Sequence, residues 1–272
     1  MNEDQIILID KPAGISSFGV VAKVRAYLRD ELGRKVKVGH TGTLDPFATG
    51  LLILLSGKMT KRSNEFLKLD KVYEATLKLG YTSTTGDPEG EITPYENDAI
   101  APEDTLSRSI FGDGPNTERP SPVTTEQRGE RQPNLFGCPS EAAPSPQTGA
   151  RERSEKDVSL ALSSFLGKIE QIPPKFSAVK INGERAYKLA RQGKDFDMPT
   201  REVTIYSIEI LKYKYPELTI RVHCSSGTYI RTLAEDIGKA LNTGAYLTAL
   251  RRTKIADYSV KEARPLSDFT HH

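Results

Sequence analysis

Asp45 stands between two contrasting stretches. Before it lies Val38-Gly39-His40-Thr41-Gly42-Thr43-Leu44, rich in turns. After it, Pro46-Phe47-Ala48-Thr49-Gly50 leads into a wholly apolar run, Leu51 to Leu55. The following proline biases Asp45 toward extended backbone, and the apolar run fits a short buried strand. An acid on a stiff loop against a core strand is positioned to serve as a nucleophile or base. Asp-Pro also caps turns, and that is its commoner use, so both readings stand at this level.

Tyr73 and Arg231 are the other residues whose settings suggest chemistry. Between positions 71 and 79, Tyr73, Ala75, Leu77 and Leu79 alternate with Glu74, Thr76 and Lys78, the period of a half-buried strand. Tyr73 therefore points inward, as an ordinary core tyrosine also would. Arg231 follows Ser225-Ser226-Gly227-Thr228-Tyr229-Ile230. With Thr228 as cap of a helix reaching about Leu241, Arg231 falls in the first turn, where the helix dipole disfavours a cation. An anionic partner would offset this; a plain surface arginine is the alternative. His40, His223, Cys138 and Cys224 show no metal-ligand spacing, so no metal is expected. His271 and His272 form a terminal pair to which no role is assigned.

The elements that must position these residues are legible from periodicity. Residues 5–9 read as a strand ending in the turn Asp10-Lys11-Pro12-Ala13-Gly14. Ser16 or Ser17 can cap a helix with Val20, Val21, Val24, Tyr27 and Leu28 on one face. Its other face, with Lys23, Arg25, Arg29, Arg34, Lys35 and Lys37, is either a solvated surface or a phosphate contact. Residues 58–69 read as a second helix. Ser154 and Asp157 match a capping box ahead of Val158, Ala161, Leu162 and Phe165. Asn182-Gly183 marks a turn, residues 185–191 a short helix, and 203–213 and 218–224 two strands joined at Tyr215-Pro216-Glu217.

The formal net charge of +2 conceals a segregation. Residues 86–157 hold 15 Asp/Glu against 7 Lys/Arg, with 10 of the 17 prolines; the remainder carries 31 Lys/Arg against 21 Asp/Glu. A basic body suggests a polyanionic partner, nucleic acid first. The proline-rich stretch lacks apolar periodicity and reads as a disordered insertion, because it has too little apolar surface to offset ordering. No apolar stretch approaches the roughly 20 residues a membrane span requires, and no secretory signal is visible. A reduced cytoplasm is the expected location.

Several segments in fixed order resemble the TruB family of tRNA pseudouridine synthases. They are Asp10-Lys11-Pro12-Ala13-Gly14-Ile15-Ser16-Ser17, the stretch 39–52, Lys71-Val72-Tyr73-Glu74-Ala75, Gln171-Ile172-Pro173-Pro174 through Lys180, Gly227-Thr228-Tyr229-Ile230-Arg231-Thr232-Leu233, and Leu250-Arg251-Arg252. Gly39-His40-Thr41-Gly42-Thr43-Leu44-Asp45-Pro46 is the most specific. The resemblance implies an α+β pseudouridine synthase fold, with a central mixed, mostly antiparallel sheet flanked by helices. It implies one catalytic domain from residues 1–85 and 155–266, an acidic insertion at 86–154, a tail at 267–272 and no appended C-terminal RNA-binding domain.

The implied activity is isomerisation of the T-loop uridine of tRNA, position 55, to pseudouridine by a monomer without cofactor. Asp45 is the implied catalytic residue, with Arg231 as an ion partner holding its pKa low. Tyr73 would stack on the target base and assist proton transfer. Tyr229 and Leu250 would line the pocket, His40 would occupy the stack vacated by the flipped base, and Lys11 would support the loop. Two further readings are a tRNA-folding chaperone and a synthase acting on a different RNA uridine.

Overall fold

Among the described residues, ten strands form one sheet that runs through the body of the protein. The computed structural model describes residues 3–96, 152–177, 179–181 and 183–270. These belong to one unit, residues 1–96 with 150–272. The expected disorder of the insertion, at 97–151, lies outside the described residues.

β1 (Ile6–Lys11) leads into α1 (Ser17–Leu32), then β2 (Val38–His40) and β3 (Thr49–Ser56). Ser16 caps α1 by accepting from the Gly19 N–H at 3.1 Å, so Ser17 is left for another task. The apolar run in β3 is buried on both faces. Leu52 and Leu54 pack with Val20, Val24 and Leu28 of α1, whereas Leu51, Ile53 and Leu55 face Phe66 and Ile255. A strand covered on both sides loses the alternation that a one-sided strand keeps.

Residues 58–69 form less regular helix than expected. A 3-10 turn over Gly57–Arg62 precedes a short α2 (Ser63–Leu67), because neither segment has a side-chain cap and only Phe66 is buried. β4 (Lys71–Leu79) alternates as its sequence predicts, with Tyr73, Ala75, Leu77 and Leu79 buried. β5 (Tyr81–Ser83) and β6 (Ile92–Pro94) follow as a small antiparallel pair. Residues 86–96, expected to begin the insertion, thus belong to the body. The Tyr95 N–H donates to Gly80 O at 2.9 Å and the Leu247 N–H to Gly86 O at 3.0 Å. Backbone pairing holds a segment with too few apolar residues to be recognised from sequence.

After the undescribed stretch come α3 (Glu155–Ser163) and β7 (Gly167–Gln171), with the capping box of Ser154 and Asp157 in place. A hairpin of β8 (Lys180–Ile181) and β9 (Glu184–Arg185) precedes α4 (Ala186–Arg191). β10 (Arg201–Lys214) and β11 (Glu217–Cys224) lead to α5 (Ile230–Ala240), and β12 (Ala245–Ile255) returns through the sheet. β13 (Tyr258–Ser259) and β14 (Arg264–Pro265) complete it.

The main path of strands is β14-β1-β3-β12-β4-β11-β10-β7. Among the described strands only β1–β14 and β3–β12 pair in parallel, so the sheet is mixed and mostly antiparallel, as expected. Residues 267–270 are not a tail. Phe269 is buried and meets Tyr27 edge-on at 5.3 Å between ring centres, since an aromatic ring this close to the apolar face of α1 gains by burial. Among the described residues no helix is long and apolar enough to cross a membrane.

Candidate active site

The loop between β2 and β3 carries Asp45, and three separate parts of the chain hold it. Ser17 at the start of α1 clamps it from one side: its hydroxyl accepts from the Leu44 N–H at 2.8 Å and donates to Leu44 O at 2.9 Å. Lys11, with no exposed surface, donates from Nζ to Ala48 O at 2.6 Å, Pro12 O at 2.9 Å and Pro46 O at 3.1 Å. Arg252, also buried, donates to Leu51 O at 2.8 Å and Gly42 O at 3.2 Å. A loop without its own ladder must find partners for its buried carbonyls, and two cations supply them here. The Ala48 N–H donates to Asp45 O at 3.1 Å, so the turn closes through backbone and the Asp45 carboxylate is released from capping.

The carboxylate faces Arg231, with Nε 3.1 Å from Asp45 Oδ2. Arg231 is 6% exposed while the Asp45 side chain is 33% exposed. The plain surface arginine is therefore excluded. Arg231 also donates to Asp87 Oδ2 at 3.2 Å, Thr85 O at 3.1 Å and Phe176 O at 3.0 Å. Thr228 does not cap α5. Its hydroxyl donates to Ser225 O at 2.9 Å, and Tyr229 occupies the cap position without a side-chain bond. Gln171 holds that position instead, accepting from the Tyr229 N–H at 3.0 Å and donating to Tyr229 O at 3.3 Å.

The electrostatics depart from expectation. Asp45 has its pKa raised, not lowered. Burial dominates, Arg231 opposes it, and Asp87 adds to the rise. One arginine shared between two carboxylates does not outweigh their desolvation. Burial likewise brings Lys11 down to about 8, countered by Asp45 and reinforced by Arg252. His40, at the end of β2, is half-buried and accepts at Nδ1 from the Gly42 N–H at 3.4 Å. Burial, Arg252 and Arg185 lower its pKa, which favours the neutral imidazole. Burial raises the pKa of Tyr73, against the opposing pull of Arg252, and holds it protonated.

Of the residues singled out in the sequence, Tyr73 and Leu250 are buried in one cluster with Leu44 and Ala48, which flank Asp45 in sequence. Leu250 lies opposite Ala75 on neighbouring strands. Lys11 and Arg231 contact the loop or the acid directly. His40 and Tyr229 lie on neighbouring segments, and among the described contacts neither touches Asp45. The sequence did not mark Ser17, Asp87 or Arg252 as parts of this assembly. Asp87 sits in a stretch that reads as disordered. The one available signal was Arg231, whose cation in a first helical turn calls for anions.

An ionisable carboxylate with one oxygen bound to a buried arginine, on a loop against a central mixed sheet, has the makings of a nucleophile or base. The model for the N-terminal domain of TruB family pseudouridylate synthases matches residues 29–121 and 141–230. That for the C-terminal domain of tRNA pseudouridylate synthase B matches residues 231–272. The tRNA pseudouridine synthase B of Phocaeicola vulgatus is 40% identical over 268 residues, covering 98% of this chain and 92% of that protein. The one from Bacteroides fragilis is 38% identical over 261 residues, covering 96% and 90%.

A solved Cbf5-Nop10-Gar1 complex aligns with a TM-score of 0.58 at 25% identity, covering 98% of this chain and 53% of that one. An H/ACA RNP bound to a substrate RNA containing 2'-deoxyuridine gives 0.55 at 22% identity, over 98% and 52%. The chain thus spans about half the length of these solved chains. The chain belongs to the TruB family of pseudouridylate synthases, and it is an isomerase acting on RNA. Within the stretch expected to be an insertion, only residues 122–140 fall outside the family match.

Proposed function

We propose that the protein converts the T-loop uridine of tRNA, position 55, to pseudouridine, with Asp45 as the catalytic residue. The observation that carries this reading is the Asp45–Arg231 pair. Arg231 takes one carboxylate oxygen at 3.1 Å, and among the described contacts none occupies Oδ1. That oxygen is free to meet the ribose of a uridine whose base has been flipped out of the stack. The raised pKa makes the ionised carboxylate a stronger nucleophile or base than an ordinary aspartate.

The carboxylate attacks C1′, removes a proton from C2′, or attacks base C6. In all three routes the bond from C1′ to the base nitrogen breaks, the base turns to rejoin through C5, any bond to the carboxylate is released, and the C5 proton is lost. The steps are redox-neutral, so the reaction requires neither cofactor nor metal. Tyr73 stacks on the base and, held protonated, supplies or relays a proton. Tyr229 and Leu250 line the pocket, His40 fills the vacated stack and Lys11 keeps the loop in shape. The catalytic domain is built from both halves of the chain, it works as a monomer in the cytoplasm, and residues 122–140, within the expected insertion, are an addition to it.

The test is an unmodified tRNA transcript treated with the protein, with pseudouridine mapped by carbodiimide-blocked primer extension. A single new stop at the T-loop position is expected. A stop elsewhere, or none, would overturn the assignment.

A further inference from the structure

α5 begins at Tyr229 without a side-chain cap of its own. A helix start needs partners from outside when its own side chains give none. The segment 171–176, at the end of β7 and beyond it, supplies them. Gln171, 1% exposed, brackets the Tyr229 backbone: Oε1 accepts from the N–H at 3.0 Å and Nε2 donates to the carbonyl at 3.3 Å. An N–H can only donate and a carbonyl only accept, so the amide has one workable orientation. Ile172 O accepts from the Thr232 hydroxyl at 3.3 Å, and Phe176 O from Arg231 Nη2 at 3.0 Å. Positions 229, 231 and 232 are thus tied to one short segment, and Gln171 is itself anchored in the sheet opposite Arg201 of β10.

We propose that Gln171 is a positioning residue for the isomerisation: it sets the roll of the first turn of α5 about its axis, and so places Arg231 against Asp45. The inference rests on the catalytic role proposed above for Asp45. Successive helical positions point about 100° apart, so ties at three of them fix the roll. At the roughly 5 Å outer radius of a helix, a roll of about 10° carries a side-chain tip about 1 Å. Arg231 Nε lies 3.1 Å from Asp45 Oδ2, and a displacement of that size is enough to break the bond and misplace the carboxylate. Because Gln171 itself bonds only to backbone at this helix start, its effect on the chemistry runs through Arg231 and Tyr229.

The test compares the wild type with Gln171→Met, which keeps the side-chain length and removes both bonds, and with Thr232→Val, which removes the Ile172 tie alone. Thr76→Val breaks the hydroxyl pair with Thr219 at 3.2 Å on the sheet, and is the control for a hydrogen bond lost elsewhere. Melting, tRNA affinity and the pH dependence of the single-turnover rate are measured on each. Gln171→Met should lower the rate at saturating tRNA about 10- to 100-fold and leave tRNA affinity unchanged, since phosphate contacts dominate RNA affinity. Thr232→Val should act in the same direction and less, and the two together should fall short of the product of their effects. Burial raises the pKa of Asp45, Arg231 opposes it, Asp87 adds to the rise and Lys11 opposes it. Of these groups Gln171 places Arg231 alone, so the acid limb of the profile should move to higher pH in both variants and stay in place in Thr76→Val. Should Gln171→Met fail to fold, Thr232→Val carries the same readouts. A lower melting temperature with rate and acid limb in place overturns the inference, as does a slower rate with the limb unmoved. Retained turnover in Asp45→Asn overturns instead the catalytic reading of Asp45 on which it rests.

Discussion

Replacing Asp87 by asparagine tests whether Arg231 is held in place from behind. Asp87 Oδ2 lies 3.2 Å from the guanidinium, and its side chain is 4% exposed. Two unit charges at that distance attract by about 5 kcal/mol at an effective dielectric of 20, but desolvation consumes much of this. Asparagine keeps one acceptor oxygen for the turn bonds that Asp87 Oδ1 makes with the Thr85 hydroxyl and the Glu89 N–H, and puts its amide NH2, a donor, where Oδ2 accepted from Arg231. The expected loss is therefore that of one hydrogen bond to a charged group, about 1.5–3 kcal/mol. Truncation to alanine costs more, about 3–5 kcal/mol. For a protein of this size the asparagine variant should melt roughly 3–12 °C lower.

The same substitution has a second, independent consequence. Asp87 helps to raise the pKa of Asp45, so removing its charge lowers that pKa. The acid limb of the pH–rate profile on tRNA then moves to lower pH. Arg231, left with one carboxylate, binds Asp45 more tightly and loses its second anchor, and kcat should fall about 10- to 100-fold. A variant that melts like the wild type and keeps the acid limb in place would refute the shared-arginine account.

Other outcomes follow from the same site. Asp45→Asn should abolish turnover while leaving tRNA binding intact. It should not lower the melting temperature at pH 7: a carboxylate with a raised pKa binds extra protons in the folded state, so its ionisation costs stability as pH climbs through that range. Retained turnover, or a large drop in melting temperature, would count against it. Lys11 titrates at about 8, and the neutral amine can make only two of its three hydrogen bonds, so activity should decline above pH 8. Lys11's contribution to stability has the opposite sign, rising between pH 8 and its ordinary 10.5 because the unfolded chain holds the proton longer. A melting curve and a rate profile that fall together above pH 8 would contradict this. Gly50→Ala should cost at least about 2 kcal/mol, read by thermal melting. Gly50 has φ +101, and a Cβ there would lie 2.3 Å from Arg252 O, where β3 and β12 pair.

The sequence by itself determined the local pieces and singled out the candidate acid. Asp45 and its loop, a cap of α1 at Ser16 or Ser17, the inward face of β4 and the capping box at Ser154 are all legible. Each depends on neighbours within a few residues, where spacing and side-chain type carry the physics. It also announced that Arg231 needs an anion, since a cation in a first helical turn is uncomfortable whatever surrounds it. Only the tertiary structure decided which anions answer and what they do to one another. Asp87 lies in an acidic, proline-rich stretch that gives no sign of order, and backbone pairing with the body, not apolar burial, holds it there. Lys11 and Arg252 support one loop from opposite ends of the chain through carbonyls that sequence cannot assign. The direction of the Asp45 pKa was decided there as well. An Asp–Arg pair in sequence suggests a lowered value, but burial and a second carboxylate raise it, and both arise only when distant segments pack together.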